Sequence, residues 1–107
     1  MNVHMKIGIV GNYGNDNNGD EAILLSIIRQ LQKVFQIPTQ DLVVFSNNPR
    51  QTAARYEVES YPLYYKNGNA VKTFFKTYKE NSKVVKSLDF VVIGGGGILM
   101  DLYKRCL

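Results

Sequence analysis

Apolar residues first gather at Lys6–Val10 (KIGIV), a short β-rich run that predicts a strand. The run stops at Gly11–Asp20 (GNYGNDNNGD), a glycine- and asparagine-rich stretch that predicts a loop. From Glu21 to Phe35 the apolar positions Leu24, Ile27, Ile28, Leu31 and Phe35 recur at helical spacing, so one face of a helix meets a core. Asn18 with Glu21 three residues on forms a candidate capping pair, Asp20 is the alternative cap, and Pro38 ends the helix. Leu42–Phe45 (LVVF) predicts a buried strand, Pro49 opens a short helix through Arg55, and Tyr56–Tyr61 is a weak third strand. Pro62–Asn69 reads as loop. Ala70–Leu88 then reads as a helix whose stripe runs through Val71, Phe74, Phe75, Tyr78, Ser82 and Val85. Phe90–Ile93 (FVVI) is the last expected strand. It runs into four glycines, Gly94–Gly97, after which Ile98–Leu102 predicts the start of another helix.

Strands made of consecutive apolar residues and separated by helices define an α/β fold, with a parallel sheet covered on both faces. Handedness rules favour a Rossmann-like three-layer half domain with about four strands in the order 3-2-1-4. In that order strands 1 and 4 are neighbours, and the loops Gly11–Asp20 and Gly94–Gly97 meet at the topological switch point, where such sheets bind ligands. The outer edge of strand 4 is then left unpaired, a route to a homo-oligomer.

The 107 residues suffice for one domain, 1–107, and not for two. With 45% hydrophobic residues and 21% charged, the composition is that of a folded protein. Residues 1–61 carry five basic and six acidic groups, while 62–107 carry eight and three, so the net charge of +4 resides in the second half. Cys106 is the single cysteine, which excludes an internal disulfide and a cysteine-based metal cluster and makes a cytoplasmic setting the expectation. There is no signal-peptide pattern and no apolar run long enough for a membrane span.

The first loop lacks Gly-Lys-Ser/Thr and the G-x-G-x-x-G spacing, so neither common nucleotide fingerprint is present. Asp20 and Glu21 at the positive end of the first helix repel a phosphate. Asn12, Asn15, Asp16, Asn17 and Asn18 offer donors and acceptors suited to a hydroxyl-rich ligand, although such residues also simply shape turns. The second loop is the better anion site, because its glycines allow close approach and Ile98, Leu99 and Met100 put no acid at the expected helix start. The same glycines would equally serve tight strand-to-helix packing.

Tyr13-Gly14, the string Asn18-Gly19-Asp20-Glu21-Ala22-Ile23-Leu24, and Asp89-Phe90-Val91-Val92-Ile93-Gly94-Gly95-Gly96-Gly97 with Asp101 together resemble the polysaccharide pyruvyl transferase family. The resemblance spans nearly the whole chain and covers only the N-terminal part of such an enzyme. It implies a fold like the N-terminal domain of a GT-B-type transferase, with a C-terminal domain facing it across a cleft. It implies transfer of pyruvate from phosphoenolpyruvate onto two hydroxyls of a sugar or glycan acceptor, giving a ketal in cell-wall or exopolysaccharide biosynthesis, with no cofactor and no metal. Tyr13, Gly14, Asn17, Asn18, Gly19 and Asp20 would contact the acceptor, and Gly94, Gly95, Gly96, Gly97 and Asp101 would support the donor or the domain interface. His4 is the only histidine, and Arg29, Arg50, Arg55 and Arg105 all fall outside both glycine loops. The family places its basic and imidazole groups in the second half, so this chain alone is expected to be inactive, and its catalytic residues are unknown.

Lys72, Lys76, Lys79, Lys83 and Lys86 follow a 4-3-4-3 spacing that lines one flank of the second long helix. The flank reads as an ordinary solvated face; the sharper reading is a contact with an anionic membrane, suited to lipid-linked sugars and a membrane-peripheral location. No nucleic-acid motif accompanies it. The rival readings are a nucleotide or nucleotide-sugar binding module and a non-catalytic interaction domain.

Overall fold

A computed structural model describes residues 5–63, 79 and 81–93 together with 98–100, of which 93 and 98–100 are described as backbone only. The element order is β1 (Ile7–Val10), α1 (Asn18–Phe35), a 3-10 turn (Thr39–Asp41), β2 (Leu42–Ser46), α2 (Pro49–Tyr56), β3 (Glu59–Pro62), α3 (Ser82–Lys86), β4 (Phe90–Ile93) and β5 (Ile98–Met100). The sheet order is β3-β2-β1-β4-β5, and the first four strands are parallel in the 3-2-1-4 order expected.

Strand alternation divides the core in two. Ile7, Ile9, Leu42, Val44 and Val92 pack with Tyr13 and with Leu24, Ile28 and Leu31 of α1, and Tyr56 of α2 joins them. On the opposite face Val10, Val43, Phe45 and Val91 meet Val85 and Leu88, at and just beyond α3. Gly8 lets this second layer come close, because a Cβ there would stand 2.5 Å from Leu88 Cδ1. Phe35 ends the α1 stripe past the sheet and stays 61% exposed. The helix stops there because Gln36 turns left-handed, and its N–H and that of Ile37 both donate to the Leu31 carbonyl.

Two expectations are corrected. Ile98–Met100 is a strand and not the start of a helix, antiparallel to β4 with Val92 opposite Leu99. Three apolar residues fit either state, and the open hydrogen-bonding edge of β4 decides between them. That edge is therefore paired, with β1 on one side and β5 on the other. The four glycines link two antiparallel strands, so Ile98, Leu99 and Met100 offer no free helix N–H groups to an anion there. Gly94, Gly95, Gly96, Gly97 and Asp101 themselves lie outside the described residues, as do His4, Arg105, Cys106, Lys72, Lys76 and residues 70–78 of the long predicted helix.

Candidate functional site

Val10 is in register with both Phe45 and Ile93, so β1, β2 and β4 end side by side at one edge. The loop that leaves β1 makes a three-residue turn at once, with the Tyr13 N–H donating to the Gly11 carbonyl at 3.0 Å. This turn sends the Tyr13 ring down into the core, where it is 1% exposed. Gly11 must lack a side chain here, since a Cβ would lie 2.5 Å from the phenol Cζ and 2.6 Å from its oxygen. The Tyr13 carbonyl is held from the end of β2, by the Asn47 N–H at 2.9 Å and the Asn47 side-chain amide at 3.2 Å. Gly14 follows with φ +82°, a left-handed conformation, and packs so closely that a Cβ would meet Ser46 Oγ and the Asn48 nitrogen.

Asn17 caps α1, its side-chain oxygen accepting from the Asp20 N–H at 3.1 Å. The cap thus sits one residue before the expected Asn18, which together with Gly19 lies in the first turn. The two acids of this turn part company. Asp20 turns back to the loop and accepts from the Asn12 amide at 3.3 Å, and Asn12 in turn accepts from Asn15. Glu21 turns inward, its side chain 8% exposed, and accepts from the Gly14 N–H at 3.0 Å and the Tyr56 hydroxyl at 2.8 Å, with the Arg55 guanidinium 3.9 Å away. Arg55 also lies over the Tyr56 ring, 5.5 Å from its centre.

Burial and the Glu21 hydrogen bond push the Tyr56 hydroxyl up to about 12, with the Glu21 charge adding to this and Arg55 opposing it. Tyr13 is raised further, first by burial and then by the charges of Asp20 and Glu21. Its hydroxyl is the buried side-chain polar atom that lacks a hydrogen-bond partner among the described residues.

The structure therefore brings Tyr13, Gly14, Asn17, Asn18, Gly19 and Asp20 together at the switch-point edge. Tyr13 offers its surroundings a hidden hydroxyl and not an exposed ring, and Asn17 and Gly14 are occupied in shaping the loop. Glu21, Tyr56, Arg55 and Asn47 hold the site together without having been singled out for it. Glu21 stands in the Asn-Gly-Asp-Glu string, but nothing local in the sequence marks Tyr56, Arg55 and Asn47, whose contacts join segments far apart along the chain. Two hollows lie away from this edge, one of about 390 Å³ on the outer face of α1 beside Arg29 and Lys33 and one of about 110 Å³ between Met5, Phe35 and Phe90. Among the described residues no group of three or more His, Cys, Asp or Glu could hold a metal, and no helix is long and apolar enough to cross a membrane.

Strand order defines the class as an α/β, Rossmann-like half domain, with the β1–α1 loop at the switch point between β1 and β4. Comparison with protein families, curated proteins and solved structures gives no match.

Proposed function

We propose that the chain is the acceptor-facing N-terminal part of a transferase of the polysaccharide pyruvyl transferase type. The observation that carries this reading is the loop between β1 and α1. Glu21, the fourth residue of the Asn-Gly-Asp-Glu string, accepts from the Gly14 N–H, while Asn12, Asn15 and Asp20 form a polar network of their own. Amides interleaved with a carboxylate match the alternating donors and acceptors of a sugar. The acids at the head of α1 disfavour a phosphate at this position, which suits an acceptor wall and not a donor pocket.

In the reaction that follows from this reading, the enol carbon of phosphoenolpyruvate takes a proton and the adjacent carbon accepts two sugar oxygens. The bond from that carbon to the phosphate oxygen breaks, the two hydroxyl protons are given up, one balancing the proton taken by carbon and one leaving with the phosphate, and a cyclic ketal forms. The proton donor and the cations that hold the phosphate belong to the facing domain, and this chain orients the diol. Exposed Lys83 and Lys86 on α3 are compatible with an acceptor carried at an anionic membrane surface.

The test begins with the coding region beyond Leu107. A following Rossmann-like half that carries basic and histidine residues is expected, and the full product should release phosphate from phosphoenolpyruvate only when a glycan acceptor is present. A natural stop codon at that point would remove the catalytic reading.

A further inference from the structure

We propose that the Tyr13 hydroxyl is a ligand donor, held ready for an oxygen of an uncharged sugar that enters over Gly11, beside the first turn of α1. The inference rests on the reading of this loop as the sugar-facing wall, and it names the contact and the charge class.

A phenol buried to this extent in the α1 core layer with no partner for its oxygen costs stability that phenylalanine would not. The position of the oxygen gives it a use. It lies against Gly11, the first residue past β1, at the point where β1 and β4 end side by side. Gly11 sets only backbone against it. The three-residue turn beside it is closed by one backbone hydrogen bond and by the Asn12 side-chain bonds to Asp20 and Asn15, whereas the loop beyond is pinned at the Tyr13 carbonyl and at Gly14. Rotating Gly11 and Asn12 would expose the hydroxyl without releasing the pins, giving up the Asn12 side-chain bonds and freeing Asp20 for the incoming ligand.

Charge selects the ligand class. Asp20 and Glu21 stand close enough to the phenol to raise its proton affinity, so the group remains a donor across the physiological range, and the same acids repel an anion. A neutral hydroxyl oxygen accepts from Tyr13 while its own proton can go to Asp20, already part of the Asn12 network.

The experiment is a titration of the 107-residue chain, labelled at amide nitrogens and at tyrosine Cζ, with the methyl α-pyranosides of glucose, galactose and mannose, and separately with inorganic phosphate. At least one glycoside should shift the amides of Gly11 and Tyr13 together with the Tyr13 Cζ resonance, and phosphate should not. Tyr13→Phe should melt no lower than the parent and bind that glycoside about five- to tenfold more weakly, the loss of one hydrogen bond. Unchanged glycoside binding by Tyr13→Phe overturns the proposal. So does a lowered melting temperature, which would give the hydroxyl a structural partner, and so does a response to phosphate alone. If the parent chain binds none of the three glycosides, the proposal falls while pyruvyl transfer by the full coding product is still decided by its own assay. If transfer fails and the Tyr13 shifts appear, only the transferase reading falls.

Discussion

One carboxylate, that of Glu21, answers donors from Gly14, Tyr56 and Arg55. Glu21→Ala takes the side-chain acceptor from the part-buried Tyr56 hydroxyl, which keeps only a longer 3.4 Å contact to the residue-21 carbonyl, and from the Gly14 N–H, and should lower stability by about 1–2 kcal/mol in denaturant unfolding. Glu21→Gln keeps an acceptor and should cost less. The two tyrosines add a pH dependence. Their protonated forms are favoured by folding, so the folded state holds more protons than the unfolded chain above about pH 10. Stability from Tyr56 is complete below pH 10 and is lost as pH rises towards about 12, with Tyr13 extending the loss beyond. Thermal melts across that alkaline range should fall steadily, and Tyr56→Phe should flatten the fall. Gly14→Ala combines left-handed strain with a clash against Ser46 and Asn48 and should destabilise by about 2 kcal/mol or more. At this scale the sequence made Gly14 and Asp20 legible. It showed Glu21 as a capping partner and an acid at a helix start, not as an inward-facing acceptor, since the tyrosine that bonds it lies 35 residues away.

Helix α1 owes its start to a single side chain, so Asn17→Ala should cost about 1 kcal/mol and Asn17→Gly a few tenths, measurable by urea denaturation. Helix α1 was the clearest element in the pattern, because a repeated apolar stripe needs a long segment to declare itself. Its cap was displaced by one residue, from Asn18 to Asn17, where four asparagines and aspartates in succession all qualify on composition alone. The segment Ile98–Met100 shows the opposite limit. Its three residues carry no readable period, and their state follows from β4, whose edge they cover in antiparallel register. Local preference had nothing to say against that pairing.

Across the molecule, the strand order followed from alternation and handedness, which operate on the whole chain and tolerate errors of a residue or two at element ends. The sheet also sets a gradient of protection. β1 and β2 each have a strand on both sides, while β3 lies at an edge and is half exposed. Amide hydrogen exchange should accordingly be slowest at Ile7–Val10 and Leu42–Ser46 and faster by orders of magnitude at residues 59–61 of β3. Equal protection of β3 and β1 would contradict that order. The Glu21 junction adds a consequence in time. The turn at Gly14 is made early in the chain, yet the groups that fix the carboxylate beneath it arrive with the last two residues of α2. Loop closure over that distance has to precede the reward, so the sheet can assemble while the β1–α1 loop still wanders. Refolding followed at Gly14 should lag refolding followed at Val44, and the molecule should acquire its scaffold before it acquires its site.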